Sequence, residues 1–218
     1  MSTDSDAGGE RRTRIHLVRH GTTLLNRANR YRGRRDVPLD QGGWHDAWCA
    51  AGELEGGTYS AVYSSPLRRA RDTARIIADV VGIATVEDMP GFVNLEYGAW
   101  EGLTSSEASA RDPELFARYQ EYAPGAFCPS GELLDDAAHR MQLSLRLIAS
   151  LHPGQSVAAV SHAATVRLAI SQVTGGPREN WRYALPNGSI TVFDVIDDRI
   201  VLHRVPPQTP ETAAALRD

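Results

Sequence analysis

Lysine is absent from this 218-residue chain: its 23 basic side chains are all arginine, and 27 acidic ones outnumber them, for a formal net charge of −4. That balance gives no electrostatic footprint for nucleic acid or for an anionic membrane surface. Arginine's planar fork suits bidentate recognition of anions, although composition bias of the source accounts for most of the excess. Cysteine is scarce. Cys49 and Cys128 stand far apart, which excludes a disulfide framework and a cysteine-rich zinc site. No apolar run approaches the roughly 20 residues of a membrane span. Met1–Thr13 has no apolar segment of the secretory kind, so a reducing, cytoplasmic setting is expected. Serine/glycine linkers, repeats and low-complexity blocks are also missing. The expectation is one domain over residues 14–205, between a disordered tail at 1–13 and a C-terminal tail at 206–218.

The hydrophobic fraction of 42% is enough for a sizeable core. Apolar periodicity alternates between strand and helix. Strands are expected at Arg14–Arg19, Ser60–Ser64, Ala84–Glu87 and Ser156–Ser161. Helices are expected at Gln41–Glu53, Pro66–Val81, Ser130–Leu151 and Ala163–Val173. The Thr22–Ala28 stretch begins a further helix, and Thr104–Tyr122 holds one or two short ones broken near Asp112-Pro113. Ser189–Ile196 and Arg199–Val205 read as a hairpin turning at Asp197-Asp198. The pattern implies an α/β fold: a three-layer sandwich with a mostly parallel central sheet flanked by helices. Gly42-Gly43 and Gly175-Gly176 read as turns, not as a phosphate loop.

Three places carry chemistry. Arg19-His20-Gly21-Thr22 follows the apolar run Ile15–Val18, so His20 falls at the C-terminal end of a strand, the edge where open α/β sheets bind ligands. An imidazole there is a candidate nucleophile toward phosphorus. His162 ends the strand Ser156–Ser161 in the same way and is placed to stabilise phosphoryl charge. Tyr63–Ala70 is a strand end, a proline and the pair Arg68-Arg69. Arginine in the first turn of a helix opposes the dipole, and a bound phosphate relieves it. Successive residues cannot both point inward, and Arg68, Arg71 and Arg75 read as solvated. His16, His45, His139, His152 and His203 lack ligand spacing and read as structural or exposed. No metal and no cofactor is expected.

With those residues in view, the chain resembles the histidine phosphatase superfamily, the phosphoglycerate-mutase-like group, over nearly all of Arg14–Val205. The matching blocks are Arg19–Asn26, then Arg30, Gly33, Asp36, Pro38-Leu39 and Gly42. They continue with Ser64–Ala70, Thr73-Ala74, Gly98-Ala99-Trp100-Glu101-Gly102, Gly131-Glu132 and Val160-Ser161-His162. The resemblance implies a phosphoglycerate-mutase-like fold. It also implies that His20 carries the phosphoryl group, that Arg19, Arg69 and His162 grip it, and that Asn26 orients it. Gly21, Thr22 and Ala163 would line the same turn and helix start.

Two positions depart from the family pattern. The acid expected four residues before Gly98 is Asn94, whose amide cannot transfer a proton. Glu96, two residues on, is on the same face if the segment is extended. Either it supplies the carboxyl, or Asn94 orients a leaving group that needs little acid help. Arg32 stands where glutamine is frequent. With Arg30, Arg34 and Arg35 it either recognises a second anionic group or is part of a solvated loop. The expected activity is metal-independent hydrolysis of a small phosphorylated metabolite through a phosphohistidine. The alternatives are a phosphoglycerate-type mutase and a non-catalytic phosphate-binding homologue. A homodimer is compatible with the sequence; nucleic acid and membrane partners are not expected.

Overall fold

Strand β1 (Arg12–Arg19) buries Ile15 and Leu17 against one layer of helices and Val18 against the other. This is the pattern of a strand covered on both faces. The computed structural model describes residues 11–175, 181 and 183–209. Within them β1 begins at Arg12, inside the segment expected to be a tail. The Thr13 hydroxyl donates to the His152 carbonyl at 2.8 Å, which ties that start to the domain. At the other end, Gln208 exchanges hydrogen bonds with the backbone of Ala184. Residues 1–10, 210–218 and Gly176 lie outside the described residues.

After β1 come the single turn α1 (Leu24–Arg27), α2 (Gln41–Leu54), β2 (Val62–Ser64), α3 (Arg68–Val81) and β3 (Val86–Asp88). The chain then makes an excursion through two 3₁₀ turns, α4 (Ser105–Arg111) and α5 (Pro113–Gln120). It returns through α6 (Leu134–Leu151), β4 (Ser156–Ser161), α7 (Ala163–Thr174), β5 (Ile190–Ile196) and β6 (Arg199–Arg204). The six strands form one sheet in the order β3-β2-β4-β1-β5-β6. The first four are mutually parallel, and the β5–β6 hairpin is antiparallel at the edge. Helices α2 and α3 pack on one face, α6 and α7 on the other. The expected α/β sandwich is therefore the fold. The excursion forms a third cluster in which Tyr97, Trp100, Tyr119 and Trp181 pack together.

Several boundaries differ from the sequence expectation, each for a local reason. Helix α3 starts at Arg68, so Pro66 lies before the N-cap Leu67 and not in the first turn. The Ser65 amide is still bonded to the Val160 carbonyl at 2.9 Å, so the chain leaves the sheet too late to coil earlier. Helix α6 opens at Leu134, not Ser130, because Ser130 has φ 56° and Phe127 bridges Leu133. Strands β2 and β3 are shorter than expected, and β3 is shifted toward Asp88. The Asp197-Asp198 turn has φ of 47° and 68°, the positive values a type I′ hairpin requires.

Gly42 and Gly43 are not a turn: they lie in the first turn of α2, capped by the Asp40 carboxylate on the Gly43 amide at 2.8 Å. Their role is close approach. A Cβ on Gly43 would stand 2.0 Å from the Thr22 carbonyl oxygen, and one on Gly21 would stand 2.1 Å from that of Gly43. Backbone presses on backbone here, so neither side can yield by a rotamer change. Gly43→Ala is expected to lower the free energy of unfolding by about 1–3 kcal/mol in urea titrations. A loss under about 0.5 kcal/mol would refute the contact.

Candidate active site

The register of two parallel strands assembles the site. Arg19 of β1 pairs with Ser161 of β4, and Ser64 of β2 pairs with Val160. The next residues, His20, His162 and Ser65, therefore leave the sheet side by side at its C-terminal edge. The His20 amide donates to the Ser161 carbonyl at 3.0 Å, which extends the ladder by one step. The His20 and His162 rings lie 5.0 Å apart, centroid to centroid. Both side chains are buried, as is Arg69.

The hydrogen bonds of His20 fix its tautomer. Nδ1 lies 2.6 Å from the Gly21 carbonyl oxygen. A carbonyl only accepts, so Nδ1 carries the proton. Nε2 is then the lone-pair nitrogen, and it accepts from Arg69 Nε at 3.3 Å. Burial, then the Arg69, Arg19 and Arg32 guanidiniums, push the His20 pKa well below the usual imidazole value. The ring is thus neutral, with a free electron pair. His162 is also held neutral, by burial first and then by Arg69. Its Nε2 is 2.7 Å from Ser65 Oγ, while its Nδ1 is buried without a protein partner.

The guanidiniums are anchored by backbone carbonyls, not by carboxylates. Arg69 donates to Arg35 O at 2.7 Å and Gly33 O at 3.0 Å. Arg19 donates to the Leu185 carbonyl, and its Nε is buried without a partner. Burial lowers the Arg69 pKa to about 9, and repulsion from Arg32 contributes; Asp36 and Glu101 oppose the shift. Carbonyl anchors fix geometry but leave the charge unneutralised. A pocket of buried cations without a paired carboxylate is complementary to a dianion.

The other expected residues sit in different settings. Gly21 belongs to the His20 turn: its amide donates to Thr73 Oγ1 at 3.1 Å, and Thr73 Oγ1 in turn donates to the Arg69 carbonyl at 2.8 Å. Asn26 sits in a capping box, where its Oδ1 accepts from the Thr23 hydroxyl at 2.8 Å and the Thr23 amide at 3.1 Å. This spends the oxygen and leaves the amide nitrogen as the donor end. Ala163 opens α7, with its amide among the N–H groups that a helix start leaves unpaired. Thr22 is turned elsewhere, since both its amide and its hydroxyl donate to Asp46 Oδ2, at 2.9 and 2.6 Å.

Asn94 is buried, and its Nδ2 donates to Gly33 O at 3.1 Å, the same carbonyl that anchors Arg69. Residues 93–97 form no strand; they connect the two 3₁₀ turns as an irregular segment, with Tyr97 in the αR region, so the alternation that would put Asn94 and Glu96 on one face is not set up. Glu96 still faces the same loop, through an ion pair with Arg34 at 2.9 Å. Its carboxylate is 43% exposed, and it makes no recorded contact with His20. Glu101 braces the loop from the other side by accepting from the Arg34 amide at 3.0 Å. Among the described residues, no cluster of His, Cys, Asp and Glu is arranged to hold a metal ion.

Sequence reasoning passed over three contributors. Asn187 donates to the His20 carbonyl at 2.9 Å. Asp46 holds the turn through Thr22. Arg167 reaches the cationic cluster from α7, and its signal was readable: it is the one charged residue in Ala163–Thr174.

Comparison with known proteins follows the same outline. The chain is 35% identical over 199 residues to a bifunctional protein of Mycobacterium tuberculosis, covering 90% of this chain and 54% of that one. It therefore spans about half the length of that relative. It is 31% identical over 192 residues to a metal-independent phosphoserine phosphatase of Arabidopsis thaliana, covering 87% and 79%. Among solved structures, a phosphoserine phosphatase of Entamoeba histolytica in complex with phosphoserine superposes with a TM-score of 0.79 at 25% identity, covering 88% and 96%. A mycobacterial glucosyl-3-phosphoglycerate phosphatase in complex with VO3 gives 0.78 at 26%, covering 91% and 100%. Residues 15–206 match the family description itself, so the chain belongs to the histidine phosphatase superfamily (branch 1).

Proposed function

We propose that the chain is a metal-independent phosphomonoesterase that acts on a small phosphorylated metabolite through a phosphohistidine at His20. The observation that carries this reading is the tautomer. The Gly21 carbonyl holds the proton on Nδ1, so Nε2 presents its lone pair beside Arg69. The phosphatase relatives and neighbours support the same chemistry.

The substrate phosphate binds among Arg19, Arg69 and His162, with the Asn26 amide and the Ala163 N–H at its margin. His20 Nε2 attacks phosphorus in line, a P–N bond forms, and the P–O bond to the alcohol breaks. The guanidiniums and His162 hold the equatorial oxygens while charge spreads over them. Water then attacks the phosphohistidine, releases phosphate and returns His20 to its neutral form. Arg69 approaches His20 Nε2 in the free protein; the incoming phosphate takes over that donor.

The leaving alcohol needs a proton. We assign Asn94 to orient the leaving oxygen and Glu96 to supply the proton: released from Arg34, the Glu96 carboxylate takes up a proton from solvent, gives it to the departing alkoxide, and then accepts the proton that the attacking water loses in the second step. This division is weaker than a carboxyl at residue 94 itself, so substrates with acidic leaving groups are favoured.

Three tests follow from this scheme. An aryl phosphate should be hydrolysed without metal or bisphosphorylated primer, and acid quenching should trap an acid-labile phosphate that His20→Ala eliminates. A strict primer requirement would instead indicate a mutase, and turnover with no trapped label would remove the covalent step. Second, Asn94→Asp should raise kcat for alkyl phosphates at least about tenfold, while Glu96→Gln lowers it and spares aryl phosphates; a general acid contributes ~10²–10⁴ in rate. Equal effects on both substrate types would refute the assignment. Third, the lowered His20 pKa means that protonation of the free enzyme does not begin at the ordinary value of about 6.5. Corrected for substrate ionisation, kcat/KM should stay level through pH 6.5 and fall only at lower pH. A midpoint at 6.5 would show an ordinary, unperturbed imidazole.

A further inference from the structure

Beyond the phosphate-gripping set, two more arginines converge on the same end of the sheet. Arg32 enters from the loop after α1, and its Nη1 donates to the Arg30 carbonyl at 3.2 Å. Its Nε is buried with no protein partner. Arg167 enters from α7, where its Nε donates to the Tyr183 carbonyl at 2.7 Å. The segment that anchors Arg167 also anchors Arg19, through the Leu185 carbonyl two residues on. The three residues are half-buried.

The surroundings of this pair hold phenols in place of carboxylates. Arg32 and Arg167 both interact with Tyr97, Tyr119 and Tyr31. The Tyr97 and Tyr119 hydroxyls are 3.3 Å apart, and the Tyr31 and Tyr97 rings are 4.5 Å apart. Arg167 disfavours the charge on Arg32, and both disfavour the charge on Arg19. Their neighbours in the loop behave differently: Arg30 pairs with Glu107, Arg34 with Glu96 and Arg35 with Glu101. Arg32 makes no ion pair among the described residues and is the one turned inward.

Resting on the phosphatase reading, we infer that Arg32 and Arg167 form a second anion subsite that binds a carboxylate on the substrate, so that the natural substrate is the phosphomonoester of a hydroxy acid. Planar guanidinium forks match a planar carboxylate in a bidentate manner. The Arg19 charge bears on His20 and is itself opposed by Arg32 and Arg167, so the two subsites are near neighbours. The two anionic groups therefore belong to one small molecule.

The test compares a phosphorylated hydroxy acid with its carboxamide, identical except for the second charge, in the wild type, Arg32→Gln and Arg167→Gln. The wild type should favour the acid over the amide in kcat/KM by at least about tenfold, as expected for charged hydrogen bonds, with most of the difference in KM. Each variant should bring that ratio close to one. A ratio near one in the wild type, or an unchanged ratio in both variants, with the amide still hydrolysed, would overturn the carboxylate subsite and leave the phosphatase reading intact. Stronger selection for a bisphosphate than for the acid would reassign the second group as phosphate and overturn the carboxylate. Failure of the wild type to hydrolyse either compound would defeat the phosphatase reading itself.

Discussion

The geometry of the site depends on the pairing of β1 with β4. Once Arg19 stands opposite Ser161 in a parallel ladder, His20 and His162 must emerge together, and β2 delivers Ser65 and then Arg69 alongside them. A shift by one residue would invert every side chain of the strand. It would also carry Ile15 and Leu17 out of one apolar layer and Val18 out of the other. The burial of two hydrophobic layers is thus what holds the relative position of two polar rings. Stability and chemistry share one constraint, and neither can be adjusted without the other.

Inside that frame, the electrostatics are arranged by exclusion. The cations that approach His20 are held by carbonyl oxygens of Gly33, Arg35 and Leu185, which orient a guanidinium without neutralising it. Carboxylates are present nearby but occupied with structure. Asp46 ties the Thr22 turn, Asp40 caps α2, and Glu101 braces the loop that carries two of the Arg69 anchors. Burial first, and then this same crowd of positive charge, keeps both histidines neutral. The arginines thus serve two ends, attraction for an anion and a further push toward an unprotonated His20.

Much of this was legible in the sequence. Strand-end histidines, the arginine opening a helix and the α/β alternation are carried by local patterns, and all lie where those patterns put them. What escaped depends on contacts between distant segments. The four arginines between residues 30 and 35 read equally as an anion site or as a solvated loop, and nothing local says that Arg32 alone turns inward while the others find Glu107, Glu96 and Glu101. Gly42-Gly43 resembles a turn because the reason for the glycine at 43 is the backbone of Thr22, a distant part of the chain that local pattern does not bring to it. The resemblance implies that Asn26 orients the phosphate. Its oxygen also caps α1 through Thr23, a second role that spacing alone does not reveal, and its amide nitrogen remains as the donor end. Arg167 was overlooked because an apolar helix pattern draws attention to its stripe and not to its exception.

The absence of lysine has a consequence at this site. A buried ammonium can discharge when its surroundings turn apolar, so a pocket built on it would lose affinity with modest changes in acidity. A guanidinium keeps its proton far above neutrality, and even the lowered value at Arg69, about 9, leaves it charged near neutral pH. The positive field around His20 is accordingly a constant of the fold. Occupancy is governed instead by how many anions compete for it, so the anion content of the solution, more than its acidity, sets how much of the site stays open.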